Sequence, residues 1–343
     1  MENMTTAIVI LNWNGSAYLK QFLPFLIERT QLPRVEIIVA DNASTDDSLE
    51  LLKSSFPSVR QIVFDENYGF ASGYNKALEL VEADYFVLLN SDVEVAENWL
   101  QPMLSYMNAH EEVAACQPKI RSFHHRDYFE HAGAAGGFID RFGYPFCRGR
   151  VFGEVERDNG QYDRIQDVFW ASGACLLIRA KDYQSAGALD DDFFAHMEEI
   201  DLCWRLKSRG RKIVCIPESI VYHVGGGTLN VEHPRKTYLN FRNNLLLLYK
   251  NIPEKHLSKI MFTRFCLDYL AAFQLLVSGK MQNAKSVFEA RRDYKKMKKD
   301  FVQKRKDNLN NTTFDAYSEL FLRSIVFQYY VKGKKYYSQL MKK

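Results

Sequence analysis

The chain has 343 residues, 47% apolar and 25% charged, which is enough to bury a large core and too short for three independent domains. Its net charge of +3 hides an uneven distribution: residues 251–343 carry 20 Lys and Arg against 8 Asp and Glu, while residues 1–250 carry 25 against 34. An acidic body with a basic tail suggests work near an anionic surface.

The first 120 residues alternate short β-rich runs with amphipathic helical patterns. Residues 5–14 read as a buried strand and 16–29 as a helix; VEIIVADN (35–42) is strand-like and a helix follows through Leu52. RQIVFDE (60–66), a helix over 71–82, YFVLLNSD (85–92), a helix near 97–109 and VAACQPKI (113–120) continue the rhythm. Such alternation predicts an α/β fold with a mostly parallel central sheet flanked by helices. Residues 121–165 are loop-rich, and a second strand–helix block runs from Val168 to Val224. From about Thr237 the pattern turns helical, with Lys285–Lys306 strongly basic.

The six cysteines are scattered, with no CxxC pair and no metal-finger spacing, and are expected to be reduced and structural. No run approaches the roughly 20 apolar residues that span a bilayer; the best candidate, Cys266–Val277, contains Asp268 and Gln274. A strand begins by about residue 5, which leaves no room for a signal peptide, so a cytoplasmic location is expected.

Each early strand ends in the same chemical style. Apolar residues stop and short polar ones begin at Asn12-Trp13-Asn14-Gly15, Asp41–Asp46, Glu66–Phe70 and Asn90-Ser91-Asp92. One such loop is ordinary turn chemistry. Four in register along one sheet edge line the crevice where open α/β sheets bind ligands. The first loop lacks the GxGxxG of dinucleotide-binding domains, and no GxxxxGK[ST] is present, so a diphosphate must be held without either glycine cradle. A divalent cation on a carboxylate is the alternative, and Asp92, at a strand end, can supply one ligand; capping of the next helix competes for it.

Here the sequence resembles a known family. AIVILNWNGSAYLKQFL, IIVADNASTDDS, NYGFASGYNKAL and FVLLNSDVEV look like successive motifs of family 2 glycosyltransferases. FWASGACLLIRA, FFAHMEEIDLCWRLKSRG and VYHVGGGT follow in the family's order. The likeness covers residues 5–245 and is closest to the rhamnosyltransferase-like branch. It implies a GT-A type nucleotide-diphospho-sugar transferase domain over 1–245, with the nucleotide part about 1–120, the acceptor side about 121–245, and a basic helical extension over 246–343.

The resemblance also implies roles by position. Asp41 would contact the nucleotide base, with Asn12 and Asn14 lining the same pocket. Asn67, Gly69, Phe70, Gly73 and Asn75 match the segment closing over the donor. Asn90-Ser91-Asp92 stands in for the DxD motif, its first aspartate replaced by Asn90, so that Mg²⁺ or Mn²⁺ would depend chiefly on Asp92. His223, before Gly225-Gly226-Gly227, matches a histidine that reaches the diphosphate or the metal. Trp170, Ser172, Gly173 and Ala174 resemble the acceptor loop, where core packing competes for Trp170. In Glu198-Glu199-Ile200-Asp201, Glu199 occupies the position of the catalytic base, Glu198 can share the role, and Asp201 has the spacing for a surface pair with Arg205. Arg242 and Asn243 resemble a motif near the active site.

The expected activity is inverting transfer from an NDP-sugar, dTDP-rhamnose as first guess, to a saccharide or lipid-linked glycan in cell-surface polysaccharide assembly. A nucleotidyltransferase, or a non-catalytic nucleotide-sugar or glycan-binding protein, is the alternative. The later aromatics (Phe262, Phe265, Tyr269, Phe273) are expected to pack in a helical hairpin, and the basic tail to touch the inner face of the cell membrane. No motif supports nucleic acid binding.

Overall fold

Runs of consecutive aliphatic residues, apolar on both sides of the strand, form the centre of one sheet. The computed structural model describes residues 4–225, 233–315 and 317–341. In chain order the strands are β1 (Thr6–Asn12), β2 (Val35–Asp41), β3 (Arg60–Val63), β4 (Tyr85–Asn90), β5 (Val93–Val95), β6 (Val113–Ser122), β7 (Gly137–Asp140), β8 (Pro145–Cys147), β9 (Arg150–Val151), β10 (Glu154–Val155), β11 (Gln166–Asp167), β12 (Cys175–Arg179), β13 (Lys212–His223) and β14 (Leu320–Phe321). The helices used below are α1 (Ser16–Glu28), α2 (Ser48–Ser55), α3 (Gly69–Glu79), α4 (Gln101–Ala109), α5 (Ala180–Ser185), α6 (Glu198–Ser208), α7 (Pro234–Asn251), α8 (Glu254–Val277), α9 (Met281–Met297) and α10 (Phe301–Asn310).

The main sheet runs β11-β13-β6-β12-β4-β1-β2-β3, with β5 paired to β13. Strands β3, β2, β1 and β4 are mutually parallel, as strand–helix alternation predicts. Taken whole, the sheet is mixed: β12 enters antiparallel between β4 and β6, because a loop rather than a crossover helix delivers it from the far edge. Alternate residues of β1 serve opposite faces. Ile8 and Ile10 join the core under α1, α2 and α4, and Ala7 and Val9 join the core under α3, α5, α6 and α7. The register places Asn12 beside Asp41 and Leu11 beside Asn90, so three polar loops start from adjacent strand ends.

The C-terminal helices are bound to this domain through buried charge. The position 245 sits inside α7, whose Leu245–Leu248 are fully buried in the sheet-side core. Lys250 Nζ lies 2.6 Å from Asp190 Oδ2 and 2.8 Å from Asp201 Oδ2, and Asp201 also binds Arg205 at 2.8 Å. Asp201 and Arg205 do pair, but in the interior rather than on the surface: they are 0% and 3% exposed. Lys304 of α10 adds contacts to Asp190 and Asp192. The chain then returns to the acceptor side, where β14 pairs with β7 in the small sheet β10-β9-β8-β7-β14. The cysteines Cys116, Cys147, Cys175, Cys203 and Cys215 are buried thiols, while Cys266 is exposed.

Burial works against the Asp190 charge, yet Lys250 and Lys304 outweigh it and hold this carboxyl down at about 2. Lys250→Met should therefore cost about 3 kcal/mol in urea unfolding at neutral pH, because two buried carboxylates lose their shared cation. Native stability should fall as pH drops from 3.8, the unfolded value, through about 2, and this loss should be shallower in the variant.

Candidate active site

The first two loops are tied together by hydrogen bonds, although Asn12 Oδ1 stays buried without a partner among the described residues. Asn12 Nδ2 donates to Asp41 Oδ2 at 2.9 Å and lies 3.2 Å from Ser44 Oγ, and Asp41 Oδ1 accepts the Ser44 amide at 2.8 Å. Asn14, at φ 51°, accepts the Thr45 amide on its side chain at 2.7 Å. Asn12 and Asp41 are both fully buried. Gly15 is required by close approach, since a Cβ there would lie 2.4 Å from Asn12 Oδ1 and 3.3 Å from Ser91 Oγ. The same contact shows that loops one and four meet. Trp13, 47% exposed between the two asparagines, is an aromatic surface on this loop that sequence reasoning left unassigned.

The third loop joins through Asn42, whose Nδ2 donates to Asn67 Oδ1 (3.1 Å) and the Gly69 carbonyl (3.0 Å) and whose Oδ1 accepts the Tyr68 amide (3.0 Å). Gly69 has φ 77° and presses against Phe194, which leaves room for no side chain. Gly73 is a packing residue: a Cβ would meet Leu11 at 2.8 Å. Asn75 is corrected from donor contact to brace. Its amide donates to the Leu189 carbonyl and Asp191, and its oxygen accepts from Tyr183 and the Leu189 amide, so its hydrogen-bonding capacity is used within the protein.

At the fourth loop Asp92 Oδ1 lies 3.1 Å from His223 Nε2, across the β5–β13 pairing. His223 Nδ1 lies 3.1 Å from Glu130 Oε2, a charge contact too poorly aligned for a good hydrogen bond. Burial opposes the imidazolium, but Asp92 and Glu130 together push His223 up to about 10. The two residues expected at the metal, Asp92 and His223, thus stand side by side, and with no cation bound His223 steadies the Asp92 carboxylate. Glu130 lies in the loop-rich segment, and nothing in its local sequence marks it. The glycine run after His223 lies partly outside the described residues, at Gly226 and Gly227; Gly225 abuts Glu130.

A metal fits only in part. Among the described residues no cluster of three His, Cys, Asp or Glu is arranged to hold an ion. Asp92 nevertheless keeps one carboxylate oxygen without a described partner, which suits Mg²⁺ or Mn²⁺ held by few carboxylates and a diphosphate.

Acceptor-side residues divide. Trp170 is corrected to core: it is 3% exposed, donates Nε1–H to the Phe138 carbonyl at 2.9 Å, and covers Gly137 so closely that a Cβ there would lie 2.1 Å from the indole. Ser172 braces its own loop, donating to the Ala132 carbonyl, and Ala174 is buried, its carbonyl accepting the Asn90 amide. Gly173 alone stands at the junction. A Cβ there would lie 3.3 Å from Phe70 Cζ and 3.9 Å from Glu199 Cβ, so donor segment, acceptor loop and candidate base converge on it.

The glutamates sit at the start of α6 behind a strained turn. Phe194, His196 and Met197 all have positive φ (65°, 70° and 76°), which is costly for residues with side chains. Asn243 holds that turn with its amide 2.9, 2.9 and 2.7 Å from the carbonyls of Phe193, Ala195 and His196, and Arg242 adds contacts to the Asp192 and Phe193 carbonyls. Both glutamates keep an Oε2 buried with no hydrogen-bond partner among the described residues. Burial raises Glu199 to about 7 despite the backbone amides at the helix start. Burial and then the Glu199 charge push Glu198 well above the carboxylate range. Asp201 belongs to the Lys250 network and is held down by it.

Comparison with known proteins follows the same outline. A family model described as "Glycosyl transferase family 2" matches residues 7–186. An N-acetylglucosaminyl-diphospho-decaprenol L-rhamnosyltransferase of Mycobacterium tuberculosis is 26% identical over 234 residues, covering 63% of this chain and 75% of its own. Among solved structures, GalNAc-T7 with UDP, GalNAc and Mn²⁺ superposes with a TM-score of 0.57 at 15% identity, over 88% of this chain and 56% of that one. TarS 1–349 of S. aureus in complex with UDP-GlcNAc gives 0.56 at 14% identity, over 97% and 93%.

Trp170→Phe should lose about 1–3 kcal/mol of unfolding free energy through the missing hydrogen bond and the void left by the indole. Its acceptor KM should stay at the wild-type value; a rise in KM at full stability would return the indole to the acceptor site.

Proposed function

This chain belongs to glycosyl transferase family 2 and has the GT-A fold, and on that premise we propose that it transfers a sugar with inversion, using a divalent cation, from an NDP-sugar to a saccharide or lipid-linked glycan acceptor. The relative from M. tuberculosis, by its name an L-rhamnosyltransferase acting on N-acetylglucosaminyl-diphospho-decaprenol, supports L-rhamnose as the sugar and a lipid-linked saccharide as the acceptor, with which the sequence-based reading of a dTDP-rhamnose donor agrees. One observation carries the reading: Glu199, raised to about 7, flanks Gly173 opposite Phe70, at the junction where the donor loop and acceptor loop meet.

The chemistry is a single displacement. The acceptor hydroxyl oxygen bonds to the anomeric carbon as the bond from that carbon to the diphosphate oxygen breaks. Glu199 takes the hydroxyl proton, and the electron pair leaves with the diphosphate. Attack opposite the leaving group inverts the anomeric centre. Glu198, kept protonated by burial and its neighbour's charge, leaves Glu199 as the group able to cycle near neutral pH. Asn12, Asn14 and Asp41 would frame the nucleoside, with Asn67, Gly69 and Phe70 closing on the sugar. Asp92, steadied by His223 and Glu130, would hold Mg²⁺ or Mn²⁺, which when bound offsets charge on the departing diphosphate.

Glu199→Gln should retain donor binding by calorimetry while kcat falls on the order of 10²–10⁴-fold; wild-type turnover in that variant would remove Glu199 from the reaction. Because a base must be ionised to accept a proton, wild-type kcat should rise with pH through about 7 and level off above it. Asp92→Ala should lose the response of transfer to added Mn²⁺, and undiminished transfer by that variant in chelator would exclude the cation.

A further inference from the structure

α8 is turned inside out relative to an ordinary surface helix. Its buried residues are Leu257, Arg264, Asp268 and Ala272, so the side facing the protein carries an ion pair. Its solvent side carries Phe262 (70% exposed), Leu270, Phe273 (65%), Leu276 and Val277 (73%), continued by Met281 at the start of α9. With exposed Cys266 between them, Phe262, Leu270, Phe273 and Val277 recur every three or four residues and make one apolar stripe; the helical hairpin expected from sequence does form, with Phe265 and Tyr269 against α9, but Phe262 and Phe273 lie outside it. Singly exposed apolar residues are commonplace, but a stripe running along a helix is a contact surface.

The neighbouring charge says what the stripe faces. On α9, Lys285, Arg292, Lys295 and Lys296 share the outer side with Phe288, whose ring lies 5.4 Å from Tyr269 of α8. The basic face therefore adjoins the apolar one, and Glu289 and Asp293 offset only part of its charge. An apolar stripe flanked by Lys and Arg is the pattern of a helix lying in a lipid interface. A second copy fits less well, since a twofold contact would bring like-charged α9 faces together.

Contrary to the expectation that no run is long enough to span a bilayer, α8 is long and apolar enough by length and composition to cross one. Its buried side argues against crossing: Arg264 donates to the Phe142 carbonyl and Asn244, and Asp268 also pairs with Arg291 of α9. Insertion across the membrane would strip these charges of their partners.

We propose that the outer face of α8, with the basic face of α9 beside it, docks this protein in the interfacial plane of a bilayer bearing anionic headgroups. This goes beyond glycosyl transfer and does not depend on it. The docked helix still communicates with the site, because Arg264 binds Asn244, the neighbour of the Asn243 that holds the turn before Glu198.

Flotation of the full chain with phosphatidylglycerol–phosphatidylcholine vesicles tests this, with pure phosphatidylcholine vesicles and Phe262→Ser/Phe273→Ser and Lys295→Glu/Lys296→Glu variants alongside. The wild type should float with the anionic vesicles. The phenylalanine variant should bind them roughly 10-fold more weakly or worse, and the lysine variant should lose the preference for anionic over neutral vesicles. Both should keep the wild-type Tm and transfer to a water-soluble acceptor. No binding by the wild type would overturn the proposal, as would unchanged binding by the phenylalanine variant. So would a wild-type dimer that this variant dissociates and that ignores vesicles. Flotation reads lipid binding without catalysis, so the surface and the transfer reaction fail separately.

Discussion

Lys250 is the ion on which the arrangement of the candidate site depends. It bridges Asp190 and Asp201 in the interior, one before the strained turn at 194–197 and the other in the helix after it. Buried carboxylates are tolerated only when paired. The lysine therefore fixes both ends of the segment bearing Glu198 and Glu199, and Asn243 fixes its middle through the turn's carbonyls. Both residues come from α7, so the helix that carries the chain out of the domain also sets the geometry of the acids.

That division of labour leaves some polar groups satisfied and others open. Asp41, Asn42 and Asn75 use their hydrogen bonds on neighbouring loops, which fixes the crevice before a ligand binds. The Oε2 atoms of Glu198 and Glu199 are left without protein partners. Buried polar groups are almost always satisfied, and exceptions mark strain or chemistry. The unpaired glutamates behind three left-handed residues carry both signs at once.

The opposite end of the helical region follows the same logic in reverse. Where α7 buries apolar residues and aims its amides at the turn, α8 buries charge and presents apolar residues outward. The charged stripe is anchored by Arg291 and Asn244, and the apolar one has no counterpart among the described residues. Catalytic geometry and surface contact are thus two faces of one helical layer.

Much was legible in the chain itself. Strand–helix alternation and four polar strand ends are local, periodic signals, and the ordered motifs from Ala7 to Gly227 gave the family and its fold. Asp92 and Glu199 could be singled out for the same reason, since an acid at a strand end or helix start stands out locally. Contacts between remote residues could not be read that way. Glu130 reaches His223 only because the loop-rich segment folds over β13; Trp170 looks like a stacking platform until Gly137 is seen beneath it; Asn75 is spent on a loop more than a hundred residues away. The outward face of α8 had the same origin, because the sequence displays an apolar helix but not which side the protein covers. Sequence determines what each segment prefers, through backbone propensity and side-chain period, whereas partner choice and exposure depend on distances that exist only after distant segments pack.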